Sequence, residues 1–255
     1  MAGIAHKRVS LSLDVFESLT SLMLNSIGEY ISDVTDDGKE LANDIAKIPC
    51  LRSLRLWYRR YDADGLFATA GKLTELQKLK KLDLTFCSVS DGGAVALASM
   101  LAQPQQWTAL TKLSLRGVQV EHGGIARICS SLLALKGLVS LNVSGFLHEH
   151  DDRGASLFLS SLQTLTALEF LDISENVVLS WMHINAICAV LAKLRQLQWL
   201  SIRCCNLMDS AMIAIMNCAS AHLDHLNVLF IFQATMRSPA FHEFARTITR
   251  FFVFY

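Results

Sequence analysis

The sequence predicts an α/β solenoid in which short parallel strands line one face and helices line the other. A pattern Leu-x-x-Leu-x-Leu, or a close aliphatic variant, returns eight times at intervals of 26 to 32 residues. A stretch with helical spacing of apolar residues follows most of these motifs. Such a period is typical of stacked repeats, because one strand and one helix cannot bury their shared apolar face alone. The motifs begin at Leu19, Leu51, Leu79, Leu110, Leu138, Leu168, Leu197 and Leu223.

The unit that begins at Leu79 shows the physical plan of one repeat. Leu82 and Leu84 are two residues apart, so they share one face of a short strand. Asp91 is the expected helix cap, because its carboxylate can accept a backbone N–H of the first turn. From Gly93 onward the apolar residues recur at helical spacing. We therefore expect one strand, a turn and one helix in each unit.

The other units repeat this order, and each strand motif precedes a predicted helix. The predicted helices span 39–48, 65–73, 122–135, 153–165, 181–194 and 209–219. A last helix is expected after Ser238-Pro239, because serine is a good cap and proline suits the first helical position.

The unit length, the full helix and a cysteine at position nine (Cys87, Cys205) resemble the ribonuclease-inhibitor-like class of leucine-rich repeat proteins. That class includes ribonuclease inhibitor, the Ran GTPase-activating proteins and the repeat domains of NOD-like receptors. The resemblance covers the chain from Leu19 onward and implies a curved horseshoe with strands on the concave face and helices on the convex face. It carries no functional motif, because the matching residues are core residues. Four units depart from it at position nine, with Arg59, Val118, Phe146 and Asn176.

The uninterrupted period predicts one elongated domain. We expect residues 1–18 to form an N-terminal cap segment, residues 19–250 to form a single domain of about eight repeats, and residues 251–255 to form an incomplete ninth strand. The last residues are four aromatics and a valine, where a solenoid normally has a polar cap. The expectation is that another chain covers this end, or that the chain is a fragment of a longer protein.

Charge and cysteine usage narrow the class of partner and compartment. The 23 basic and 23 acidic residues give zero net charge, without the basic excess typical of nucleic-acid binding. Charged residues are 18% of the chain, and only 8 basic and 9 acidic residues follow Arg127. This favours a stable interface in the C-terminal half, although an apolar solenoid core is an equal explanation. Seven cysteines without a disulfide-like framework favour burial for most of them and a reducing, intracellular compartment, cytoplasmic or organellar.

Strand geometry assigns the concave face to positions three, five and seven of each motif. These positions hold five basic and two acidic residues, and they include large aromatics that a core does not need. Trp and Arg are enriched in binding hot spots, so we expect an acidic protein segment to bind here. A solvated face with incidental charges is the alternative. The expected partner-binding residues are Arg55, Trp57, Arg59, Lys81, Lys112, Arg116, Phe170, Trp199, Arg203, Leu229, Phe252 and Phe254.

Other motifs carry less chemistry. The stretch 148–152 holds two histidines and two aspartates, but helix capping explains the aspartates, so no metal site is expected. The aromatic and basic residues of 57–61 are able to stack on bases, but without a wider basic field a protein contact is favoured and nucleic acid is not required. No common catalytic or cofactor-binding motif is present, so neither an enzyme nor a cofactor is expected.

Two functional interpretations remain, and both involve other protein chains. The first is a structural or scaffolding subunit of a larger intracellular assembly, favoured by the low charge. The second is a reversible regulator or inhibitor that recognises an acidic segment through the concave face, a GTPase-regulator or ribonuclease-inhibitor-like use. The sequence contains no run of about eighteen apolar residues, so no membrane span is predicted.

Overall fold

The strands form one parallel sheet with one strand from each repeat. The computed structural model describes residues 19–25, 45, 48–57, 78–103, 107–120, 123–147, 152–205, 207–231 and 252–254. Its nine-stranded sheet takes its strands in the order in which they occur along the chain, and every pairing is parallel. The predicted α/β solenoid is therefore confirmed. The strands are β1 Ser21–Asn25, β2 Ser53–Trp57, β3 Lys81–Asp83, β5 Lys112–Ser114, β7 Ser140–Asn142, β8 Phe170–Asp172, β9 Trp199–Ser201, β10 Val228–Phe230 and β11 Phe252–Phe254.

A second, two-stranded sheet lies between strand and helix in two adjacent repeats. It joins β4 Ser88–Val89 to β6 Gln119–Val120 in parallel. The helices that follow are α1 Asp91–Leu101, α2 Gly124–Ser131, α3 Asp152–Leu162, α4 Ile184–Leu191 and α5 Asp209–His222. Short 3-10 turns at Leu132–Ala134 and Trp181–His183 account for the extra length predicted for α2 and α4.

The cap of α1 differs from the prediction. Ser90, not Asp91, is the N-cap, and its hydroxyl accepts the backbone N–H of Gly93. Asp91 is the first helical residue, where its negative charge suits the helix dipole. The predicted helices at 65–73 and after Ser238, nearly all of the one at 39–48, and the cap segment 1–18 lie outside the described residues.

The core is built from positions one, four and six of the repeats. From Leu51 onward these side chains are at most 3% exposed, and the apolar sides of the helices complete the same cluster. The helices therefore cover the leucine side of the sheet. The opposite side, here called the concave face, carries positions three, five and seven.

In three repeats, position nine forms a hydrogen bond to the preceding repeat. The Cys87 thiol donates to the Leu56 carbonyl (3.0 Å), and the Cys205 thiol donates to the Ile173 carbonyl (3.3 Å). Asn176 departs from cysteine but makes the equivalent bond, because its amide donates to the Val143 carbonyl at 3.0 Å. In all three cases the acceptor is position six of the preceding repeat.

Position eight turns the chain out of the strand through a left-handed backbone conformation. Five consecutive repeats have positive φ there, at Phe86, Gly117, Gly145, Glu175 and Cys204. At Gly117 a side chain is also excluded by space, since a Cβ would lie 2.3 Å from the Phe86 ring. The ring of one repeat thus occupies the volume of a side chain of the next.

The last predicted motif is out of frame by three residues. β10 pairs Val228 with Trp199 and Leu229 with Leu200, so the eighth repeat begins at Leu226, 29 residues after Leu197. Leu223 instead matches Leu194 and Leu165, because each carbonyl accepts the N–H of the leucine three residues later. The assignment of Leu229 to the concave face is therefore wrong: Leu229 is 0% exposed and belongs to the core.

Candidate functional site

Strand register arranges the concave face in three rows that run across the sheet. The first row begins with polar and basic residues and continues into aromatic and aliphatic ones. The rows are Ser21, Ser53, Lys81, Lys112, Ser140, Phe170, Trp199, Val228 and Phe252; Met23, Arg55, Asp83, Ser114, Asn142, Asp172, Ser201, Phe230 and Phe254; and Asn25, Trp57, Thr85, Arg116, Ser144, Ser174 and Arg203. The face is thus basic towards β2–β5 and apolar towards β8–β10.

An open depression of about 370 Å³ lies over β2, β3, β5, β7 and β8. We call it the basic depression. It collects Trp57, Lys81, Lys112, Arg116 and Phe170, which are five of the predicted partner-binding residues. Arg55 lies beside it on β2, opposite Asp83 in the strand register. The remaining lining residues are Asp83, Thr85, Leu113, Ser114, Ser140 and Asn142.

Two of the cations in the basic depression have carboxylate partners. Lys81 Nζ lies 3.4 Å from Asp83, and Arg116 Nη2 lies 3.9 Å from Glu175 with both side chains about half exposed. Arg116 also lies over the Phe86 ring, 5.5 Å from its centroid. The exposed Lys112 has no carboxylate partner among the described residues, so positive charge remains uncompensated there.

Three hydrogen-bond donors in this region are withdrawn from solvent and have no acceptor in the described part of the chain. They are Arg55 Nε, Trp57 Nε1 and Arg116 Nε. A buried donor left unpaired costs about 1–3 kcal/mol. An anionic acceptor could pair with these donors only if their side chains rotated toward the basic depression, and the charge-assisted bonds formed there would relieve this cost.

The two acidic residues of the concave face are buried and already bonded within the protein. Asp83 accepts from the Thr85 hydroxyl at 2.6 Å, and Asp172 accepts the backbone N–H of Ser174 at 3.0 Å. Asn142 Nδ2 lies 3.5 Å from Asp172 and also points to this carboxylate. Both carboxylates therefore hold turns and neighbouring strands, which leaves the basic residues as the charges offered to a ligand.

An aromatic strip, defined as Phe170, Trp199 and Phe230, continues the face beyond the basic depression. The rings of Phe170 and Trp199 are stacked, with centroids 4.1 Å apart and planes 9° apart. Phe230 packs on Trp199 at 5.4 Å with a tilt of 51°. The Arg203 guanidinium lies 5.6 Å from the Phe230 centroid, and its Nε donates to the Ser201 hydroxyl.

The structure groups most of the predicted residues and corrects one. Phe170 lines the basic depression and begins the aromatic strip, so it joins the two. Phe252 and Phe254 stand opposite Val228 and Phe230 in the register of β10 and β11. Arg59 lies outside the described residues. Leu229, as shown above, is a core residue.

Three residues of the face were not predicted. Val228 and Phe230 fall outside the concave positions of a motif that begins at Leu223, and the 29-residue spacing from Leu197 is the signal that locates them. Phe86 stands at position eight, outside the alternating strand positions that predict the concave face. Its alignment with Gly117 and Gly145, which also have positive φ, is the signal of a turn position.

All seven cysteines lie in the described residues, and all are free thiols. Cys87, Cys129 and Cys205 are buried, three other cysteines are half-buried, and Cys204 is exposed. Fewer cysteines are fully buried than the sequence predicts, since burial was expected for most of the seven. Burial raises the pKa of Cys205 to about 12, and burial followed by the neighbouring Cys188 raises that of Cys218 to about 12. These two thiols are therefore protonated and weakly nucleophilic at neutral pH.

Within the described ranges, no three His, Cys, Asp or Glu side chains are grouped as a metal site would require. The stretch 148–151 of the histidine-containing loop is not among these residues. The helices described also include none with the length and apolarity needed to cross a bilayer.

The family model of the leucine-rich repeat matches residues 75–98, and no curated protein gives a significant match. Among solved structures, the chain is similar to an internalin (inlF) of Listeria monocytogenes, with 17% identity and a TM-score of 0.38 over 88% of this chain and 77% of that one. Internalin C2 (inlC2) of the same organism is 17% identical, with a TM-score of 0.46 over 83% of this chain and 74% of that one. TLR13, from a TLR13–ssRNA13 complex, is 16% identical, with a TM-score of 0.47 over 87% of this chain and 27% of that one.

The repeated strand and helix and the nine-stranded parallel sheet give this chain the architecture of a leucine-rich repeat solenoid, and the leucine-rich repeat model matches one of its units at residues 75–98. The narrower resemblance to the ribonuclease-inhibitor-like class stays a prediction.

Proposed function

We propose that the protein is a non-enzymatic protein–protein interaction module that binds an acidic segment of a partner protein in the basic depression. The observation that carries this proposal is the set of three withdrawn donors, Arg55 Nε, Trp57 Nε1 and Arg116 Nε, which have no acceptor among the described residues. The exposed Lys112 adds a positive charge that no described carboxylate neutralises. A carboxylate side chain matches both features, because it accepts from several donors and carries negative charge.

Protein rather than nucleic acid is the favoured partner because of charge. The net charge of the chain is zero, and two aspartates lie within the concave rows. A phosphodiester backbone would bring a continuous line of negative charge past Asp83 and Asp172, whereas a protein segment places its carboxylates only where cations face them.

A second function is a permanent structural subunit of a larger assembly. The observation that favours it is the apolar end of the concave face, where Val228 and Phe230 follow Trp199. Such surfaces are typical of obligate interfaces. The free thiols favour a reducing, intracellular compartment for either function.

The first function is tested by selecting a displayed library of random twelve-residue peptides on the full chain. We expect acidic peptides to be enriched. The double variant Trp57→Phe and Arg116→Met, which removes two of the unpaired donors, should weaken their binding about tenfold or more, since hydrogen bonds to charged groups are strong. Fluorescence anisotropy of a labelled selected peptide measures the change.

The matched control is Arg153→Met, because Arg153 is exposed on α3 and its loss changes the net charge equally. Equal weakening by both variants, or enrichment of peptides without acidic residues, would contradict the proposed recognition.

Size-exclusion chromatography of native extract separates the two functions. A structural subunit elutes almost wholly with a large complex, whereas a recognition module elutes partly free.

A further inference from the structure

We propose that the segment bound in the basic depression also carries an aromatic side chain, about four residues from its acidic residue, which packs on the aromatic strip. This inference rests on the proposed function and adds the chemistry and spacing of the ligand. The two parts of the site share Phe170, which lines the basic depression and stacks on Trp199. A ligand that fills the depression therefore reaches the strip without crossing a barrier.

The first row of the concave face supplies the path between the two parts. It passes from Lys81 and Lys112 over Ser140 to Phe170 and Trp199. Ser140 is small and lines the depression, so its side chain leaves room for a chain that lies across the strands.

Strand spacing fixes the separation of the two ligand groups. Neighbouring strands are about 4.8 Å apart, so Lys112, the lysine without a described carboxylate partner, and the midpoint of the two rings are about 12 Å apart along the row. An extended segment advances about 3.3 Å per residue, which places the aromatic residue about four positions from the acidic one. Residues four apart in an extended chain point to the same side, so both side chains can face the protein.

Ring geometry selects an aromatic group over an aliphatic one. Phe170 and Trp199 stack on each other across adjacent strands, with planes only 9° apart. Their planes therefore lie across the row, and the ring edges point away from the sheet. Ring edges carry partial positive charge and attract the face of another aromatic ring. An aromatic side chain that lies flat on the strip gains this edge-to-face contact, which an aliphatic side chain lacks.

The experiment uses the peptides selected on the full chain by the library described above. We expect an aromatic residue four positions from the acidic residue in the enriched set. Trp199→Leu, which keeps apolar bulk but loses the ring, should lower the affinity of such a peptide about fivefold. Trp199→Phe should restore most of it. The same peptide with its aromatic residue replaced by alanine should bind Trp199→Leu and the wild-type protein equally.

The outcomes separate the inference from the proposed function. Acidic peptides without a spaced aromatic residue, or with an aliphatic residue at that position, overturn the inference and leave the proposed function standing. Equal weakening of both peptides by Trp199→Leu also overturns it, because the ring would then act on the fold and not on the ligand. Peptides without acidic residues overturn the proposed function itself. A labelled oligouridylate that binds more tightly than the selected peptides overturns both, since stacked aromatic and basic residues would then serve single-stranded nucleic acid.

Discussion

At the scale of single residues, position nine shows that different side chains satisfy the same backbone groups. Cys87 and Asn176 both donate to a position-six carbonyl of the preceding repeat. Asn176 does more, because it also donates to the Ile173 carbonyl at 2.8 Å and accepts the Leu147 N–H at 2.8 Å. It is 0% exposed, so all three bonds lie inside the core.

Asn176→Ala is therefore expected to lower the free energy of unfolding by about 3 kcal/mol, since it leaves buried backbone groups without partners. Asn176→Cys should cost less, because a thiol can donate to the Val143 carbonyl as Cys87 does to Leu56. Urea denaturation followed by circular dichroism measures both. A loss below about 0.5 kcal/mol for Asn176→Ala would show that the three hydrogen bonds do not support the fold.

At the scale of elements, the eighth repeat shows where a pattern alone is ambiguous. Aliphatic residues stand at 223, 226, 228, 229 and 231, so Leu-x-x-Leu-x-Leu fits from two different starting points. The correct one is decided by pairing with β9, which places Leu229 beside Leu200 and Val228 beside Trp199. A three-residue error moves every side chain of the strand to the other face, because the strand period is two.

The two readings predict opposite effects for neighbouring substitutions. In the structure Leu229 is fully buried, so Leu229→Ala should lower the free energy of unfolding by about 2–5 kcal/mol. Val228 is half-buried on the concave face, so Val228→Ala should cost less than about 1 kcal/mol. Chemical denaturation of the two variants compares them directly. A larger loss for Val228→Ala would restore the frame that begins at Leu223.

At the scale of the whole molecule, the architecture follows from the period, and the site follows only in part. The leucine positions predict the parallel order of β2 to β9, because each unit must stack on the last to bury its leucines. The same alternation locates Trp57, Lys112 and Arg116 on one face. It does not reveal that Lys81 is paired with Asp83, or that the donors of Arg55 and Trp57 lack acceptors within the described part of the chain. Those facts depend on side-chain conformations, which the period leaves free.

The stability of the whole chain should fall in alkaline solution because of its buried thiols. The pKa of Cys205 is raised from 9.0 to about 12, chiefly by burial. Below pH 9 this thiol is protonated in both the folded and unfolded states, so its contribution to stability is fully present. Between pH 9 and pH 12 the unfolded state loses the proton first, so the free energy of unfolding declines by about 1.4 kcal/mol per pH unit for this thiol.

Comparison with Cys205→Ala isolates this contribution, because the variant keeps every other titrating group. Its free energy of unfolding, measured by urea denaturation from pH 8 to pH 11, should decline less steeply above pH 9 than that of the wild-type protein. Parallel curves for the two proteins would mean that Cys205 titrates equally when folded and unfolded.

The Phe86 ring that fills the place of a side chain at Gly117 has a consequence for the evolution of the array. Repeats of a solenoid can be duplicated or lost as units, but Phe86 accepts only a successor with glycine at position eight. Loss of the unit that begins at Leu110 would bring Gly145 beside Phe86 and conserve the fit. Loss of that unit together with the next would bring Glu175 there, and its Cβ would meet the ring. The order of these units is therefore constrained by a steric match between neighbours, and the array tolerates some rearrangements of its units and not others.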